Sequence, residues 1–240
     1  MTTLTKIIVS TMLALVTFSC QFDFNMGVKG NGNIVTESRT VNYAFSEIHA
    51  ARGLEVILTK GNEESITVEA DENLQDIITT EVKNNILKIT TEDNINWAAS
   101  KKVYVTYTAL TKIKATSGSE VHAKGTLNAS QFEIDTSSGS YLQLQLNADK
   151  VICESSSGST VNLSGHANTL QAQSSSGSTV KATDFKTNVA TVRASSGGNI
   201  DVFAINELHA KASSGGSISY IGNPEIINSN DGASGSISKI

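Results

Sequence analysis

Few residues in this sequence have types and spacing that could do chemistry. Asp135, Glu154, Arg193 and Lys211 share one offset, each four residues before a glycine that recurs through the second half of the chain. Stacked in one column, carboxylates with a bound Ca²⁺ and a neighbouring cation could cleave a polysaccharide by acid-base chemistry. Gln173 stands between the carboxylates and the cations, and no second row of Asp builds a cleft. A solvated face of mixed charge accounts for the column, and no catalytic residue is assigned.

The other reactive side chains are isolated. His49, His122, His166 and His209 are far apart and show neither HExxH nor a paired metal spacing, so no metal ligand and no cofactor are assigned. His122 and His209 fall on outward positions, and His166 follows Gly165 in a turn. Cys153 stands at an apolar position beside Ile134 and Ala172, as a buried thiol does. The Gly-Gly pairs lack the Asp of calcium-binding nonapeptide repeats.

Binding has better candidates than catalysis. Trp97, the only tryptophan, lies in the unpatterned stretch Asp93-Asn94-Ile95-Asn96-Trp97-Ala98-Ala99, and Tyr141 lies on an outward position. Aromatic side chains are the natural anchors of a recognition surface, although either could instead cap or brace the fold.

The elements that would position these residues are set by the repeat. Ser-Gly signatures centre on Gly118, Gly139, Gly158, Gly177, Gly197, Gly215 and Gly235, with spacings of 21, 19, 19, 20, 18 and 20 residues. A period near twenty with alternation inside it is one coil of a parallel β-solenoid. Five residues before the first six of these glycines come Ile113, Ile134, Cys153, Ala172, Val192 and Ala210; three after come Val121, Leu142, Val161, Val180, Ile200 and Ile218. A third column holds Ala123, Leu144, Leu163, Ala182, Val202 and Tyr220. These columns are the expected core, and the polar residues between them face solvent. The signature glycine is expected at a corner where positive φ or close stacking excludes a Cβ, with the serines laddering between coils.

Residues 1–19 form a secretory signal, with an apolar core too short to cross a bilayer. Thr17-Phe18-Ser19-Cys20 resembles the lipobox of bacterial lipoproteins, with Thr17 where that pattern usually has Leu, and implies lipidation at Cys20. Residue 21 is Gln rather than the Asp usual in inner-membrane lipoproteins, which implies an outer-membrane address, on either side of that membrane. Residues 20–29 are then a lipidated cysteine and spacer, and 30–240 a single domain. Within it, 30–110 are expected as longer, less regular strands and 111–240 as regular coils; Asp71-Glu72-Asn73 reads as one of the turns. Lipidation at Cys20 leaves Cys153 alone, so no disulfide forms.

The net charge is −5 and the basic residues are scattered, which makes nucleic acid and anionic lipid poor partners. A glycan or protein surface is the expected ligand, and the open end of a solenoid is a strand edge suited to end-to-end self-association.

Gly30-Asn31-Gly32, Phe45-Ser46-Glu47-Ile48 with Gly53-Leu54-Glu55-Val56-Ile57-Leu58, Leu87-Lys88-Ile89, and Leu110-Thr111-Lys112-Ile113 before Ser117-Gly118-Ser119 make the chain resemble the head GIN domain family of auto-transporter adhesins. The resemblance spans about residues 28–240. It implies a right-handed parallel β-helix on an extracytoplasmic lipoprotein with an adhesive role, and it carries over no site residues.

Overall fold

The computed structural model describes residues 27–240, so the leader and Cys20 lie outside the described residues. Among the described residues eighteen strands follow one another. The first ten are short: β1 (Val28–Lys29), β2 (Ile34–Arg39), β3 (Glu47–Ala50), β4 (Glu55–Lys60), β5 (Ser65–Asp71), β6 (Ile78–Lys83), β7 (Ile86–Thr91), β8 (Ile95–Trp97), β9 (Lys101–Tyr107) and β10 (Lys112–Ala115). Five long ones come next, β11 (Glu120–Thr136), β12 (Tyr141–Ser155), β13 (Thr160–Ser174), β14 (Thr179–Ala194) and β15 (Asn199–Ala212). The last three are β16 (Ser217–Ile221), β17 (Ile226–Asp231) and β18 (Ser236–Lys239). The only helical element among the described residues is the 3₁₀ turn Glu72–Leu74. No described helix is long and apolar enough to cross a membrane.

From β10 onward the chain is a β-solenoid, about seven turns of roughly 19 residues in all. Each coil pairs in parallel with the next, and residues at one repeat offset stack: Ile113 on Ile134, Cys153, Ala172, Val192 and Ala210 in turn. That column and the one from Val121 to Ile218 are buried throughout. The third column is buried in its middle, while Ala123 and Tyr220 at its two ends are only partly covered. A stack of apolar side chains spaced by one strand separation makes the interior one continuous core, each buried Val or Leu adding about 1.5–3 kcal/mol.

Six corners, Ser117-Gly118 to Ser214-Gly215, turn on a Ser-Gly pair with both residues left-handed, Ser157 at φ 51° and Gly158 at φ 72° for example. This is the dihedral pattern of a type I′ turn. In the last signature Ser234 is left-handed at φ 59° and Gly235 is not, its place being set by close approach to the Ala212 carbonyl. A Cβ built on Gly118, Gly139, Gly158, Gly177 or Gly197 meets no atom within 4 Å. Backbone angle selects glycine at these positions, and crowding does not. The ladder runs up the corner as Gly N–H to Ser C=O of the next coil, Gly118 to Ser138 at 2.9 Å and Gly139 to Ser157 at 3.0 Å. The serine after the glycine points inward instead. Ser119, Ser140 and Ser178 donate their hydroxyls to the buried carbonyls of Ala50, Ala115 and Ser155 at 3.0, 2.8 and 2.8 Å.

The first half corrects two expectations. Its strands are shorter, two to seven residues against 14–17 in β11–β15, because the repeat strands run through the second bend unbroken. The last two residues of the expected spacer 20–29 already form β1. The coils also do not stack in chain order. β3 and β4 form a coil lying between the β10–β11 coil and one made by the later strands β7 and β9. Beyond that outermost coil β5 and then β2 continue from β9, and β6 continues from β7, all antiparallel. One end of the solenoid is therefore closed by antiparallel strands. The other ends on β17 and β18, with Ile226, Ile227 and Ile240 exposed.

Candidate functional site

Trp97 is built into the capped end. It terminates β8, which pairs with β1 and replaces the serine-glycine corner of the outermost coil. Gly30 N–H donates to the Trp97 carbonyl at 2.7 Å, and Val28 N–H to that of Asn94 at 2.7 Å. The indole stays half exposed, at 51%, beside an open groove of about 410 Å³ lined by Lys29, Gly30, Asn31 and Gly32.

Asp71 holds this corner together, and sequence reasoning missed it. The residue reads as part of a turn, yet it closes β5 and is fully buried. Its Oδ2 accepts from Gly32 N–H at 2.7 Å, and its Oδ1 from Ala99 and Ser100 N–H at 2.8 and 3.0 Å. Burial alone would raise its pKa; the backbone N–H groups of Ser100, Gly32 and Ala99 outweigh that and hold it below the usual carboxylate range. Asn73 adds a second stitch, accepting from Asn31 N–H and donating to the Lys29 carbonyl, both at 2.9 Å. Trp97 therefore projects from backbone pinned on both sides, and ordering it on binding costs little entropy.

Tyr141 lies elsewhere, at the start of β12 on an outward face. Its hydroxyl accepts from Asn162 Nδ2 at 2.6 Å, and its ring tilts against His122 with centroids 5.5 Å apart. The side chain already has partners, and it braces neighbouring coils rather than standing free. Trp97 and Tyr141 are not brought together.

The charged column is a solvated face. Asp135 and Glu154 are register neighbours, as their offset predicts. Lys114 bridges to Asp135 at 2.7 Å, and Lys112 to Glu133 at 3.2 Å. Three histidines face Glu two residues earlier on the same strand: His49 with Glu47 at 3.6 Å, His122 with Glu120 at 3.7 Å, His209 with Glu207 at 2.6 Å. Burial lowers the pKa of His49. His166 lies within β13, just past Gly165, rather than in a turn. Among the described residues no group of three or more His, Cys, Asp or Glu could hold a metal ion.

Cys153 is fully buried, and its thiol is pushed up to about 12 by burial and by the Glu154 carboxylate. It is expected to resist a thiol-specific disulfide reagent in native buffer and to react fully in denaturant; fast reaction of the native protein would place it outside the core.

Comparison with known proteins fits this architecture. A family model described as "Putative auto-transporter adhesin, head GIN domain" matches residues 44–224. A crystal structure of a putative adhesin from Bacteroides fragilis superposes with a TM-score of 0.83 at 21% identity, covering 89% of this chain and 100% of that one. A putative adhesin from Parabacteroides distasonis gives 0.72 at 19% identity, over 89% and 99% of the two chains. A protein from the same organism described as a putative lipid binding protein gives 0.69 at 20%, over 89% and 99%. Nothing among the curated proteins matches the chain.

Proposed function

The chain belongs to the head GIN domain family, and from that membership we propose that it is a non-catalytic binding module of the cell envelope, with Trp97 as its contact residue. The observation carrying the proposal is a half-exposed indole on a corner pinned by Asp71, the geometry of a preformed anchor. The lipobox-like Thr17-Phe18-Ser19-Cys20 supports an outer-membrane lipoprotein attached through Cys20. The ligand is a surface glycan or protein, since the scattered cations disfavour nucleic acid. The lipid-binding description of one structural neighbour is not carried over, because side chains fill the interior columns here.

Retention of residues 21–240 on immobilised polysaccharides and matrix proteins, wild type against Trp97→Ala, tests this reading.

A further inference from the structure

A second concavity of the described molecule lies at a different corner from Trp97. An open groove of about 860 Å³ crosses β11 to β15 where each coil bends back from its second face. One wall is a register column in which Asn128 stacks on Asn147, Asn147 on His166 and His166 on Lys186. The floor is a second column, Ala129 on Ala148 on Ala167. On the far rim Asn188 Nδ2 donates to Asn168 Oδ1 at 2.9 Å, behind Asp149.

We propose that this groove binds a neutral, extended glycan chain lying along the solenoid axis. Three features select that ligand. First, the wall repeats a polar side chain at every coil, about 4.8 Å apart, close to the advance per residue of an equatorially linked hexose polymer. Four stacked coils would thus meet three or four sugars. Second, carboxamides present donor and acceptor together, as vicinal hydroxyls require, while the alanine floor offers a shallow apolar strip to the C–H face of a pyranose. Third, Lys186 and Asp149 are the charged residues lining the groove and cancel formally, which favours a neutral polymer over an acidic one. The volume lies within the range of ligand sites. The inference rests on the chain being a binding module, but it places a second site independent of Trp97.

The test is calorimetric titration of residues 21–240 with cellohexaose and with the hexamer of N-acetylglucosamine, with polygalacturonate as acidic control. The variants are Asn147→Leu, which removes a wall carboxamide, and Ala148→Leu, which fills the floor; both sites are partly exposed, and circular dichroism checks the fold of each. Saturable binding of at least one neutral hexamer is expected, weakened tenfold or more by either variant and changed less than twofold by Trp97→Ala. Absence of saturable binding to both hexamers, binding unchanged by both groove variants, or preference for polygalacturonate overturns the inference. If the hexamers fail while Trp97-dependent retention on the panel persists, the groove alone is wrong. If all retention is absent, the binding reading falls with it.

Discussion

Asp71→Asn is expected to melt the corner that carries Trp97 while leaving the repeat coils folded, at a cost of about 3–5 kcal/mol to that corner. The carboxylate accepts three backbone N–H groups at 2.7–3.0 Å in a fully buried position. Asparagine keeps one acceptor oxygen and turns an NH₂ toward N–H donors, so at least one buried donor loses its partner. In a solenoid each layer leans on its neighbours alone, and the damage stays local. The single tryptophan reports on that corner directly. The fluorescence midpoint in urea should fall well below the circular dichroism midpoint in the variant, with the two close in the wild type. Coincident midpoints in the variant would show that Asp71 does not hold the corner.

Acid titration adds a signed check. The folded pKa of Asp71 is depressed, so its stabilisation is fully present above the unfolded value near 3.9 and is lost as pH falls through the folded value. The wild-type Trp97 signal should therefore hold down to about pH 4 and change below it. That acid transition should be absent from Asp71→Asn.

The second large effect is expected at Gly165. Its φ of 110° lies outside the region that other residues visit, and a Cβ there would collide with the Leu146 carbonyl of the preceding coil. Gly165→Ala adds backbone strain to an overpacked contact between two coils, about 3–6 kcal/mol together. Gly158→Ala supplies the contrast. Its φ of 72° makes alanine unfavourable, but open space surrounds the new methyl, and about 1–2 kcal/mol is expected. Urea midpoints of the two variants decide the matter. Equal losses would mean that the inter-coil contact at Gly165 relaxes freely.

That contrast shows which parts of the fold the sequence makes legible. The Ser-Gly signature announces the coils because it recurs, yet Gly118, Gly139, Gly158, Gly177 and Gly197 are individually the cheaper glycines to replace. Gly165 lies outside the signature and reads as any turn glycine. The inward columns could be read from the offsets of Ile134, Leu142 and Val161, since stacking keeps register close to the corner. The out-of-order coils could not be read that way. Arg52-Gly53 takes the Ser-Gly place with the same pair of positive φ angles, so the motif hides while the geometry persists. Leu87-Lys88-Ile89, Ile48-His49-Ala50 and Ile113-Lys114-Ala115 share the pattern that stacks them.

Of the two aromatic candidates, only Trp97 stands free at an exposed site. Asp71 was invisible because a buried carboxylate at a strand end has the same local sequence as a solvated turn aspartate. The polar groove was hidden for a different reason. Register shifts within β11, β13 and β14 change the distance from corner glycine to groove, so Asn128, Asn147, His166 and Lys186 hold no constant offset. A bulge keeps residues neighbours in space while breaking the arithmetic that would reveal them.

The most direct test of the binding reading is the retention isotherm of residues 21–240 on the panel of polysaccharides and matrix proteins, measured for wild type and Trp97→Ala side by side. Saturable retention on one class of surface, weakened about tenfold or more by the substitution, is the predicted result, in line with loss of an aromatic anchor. Retention absent from every surface would contradict the binding reading, and retention identical for the two proteins on every surface would contradict Trp97 as its contact residue.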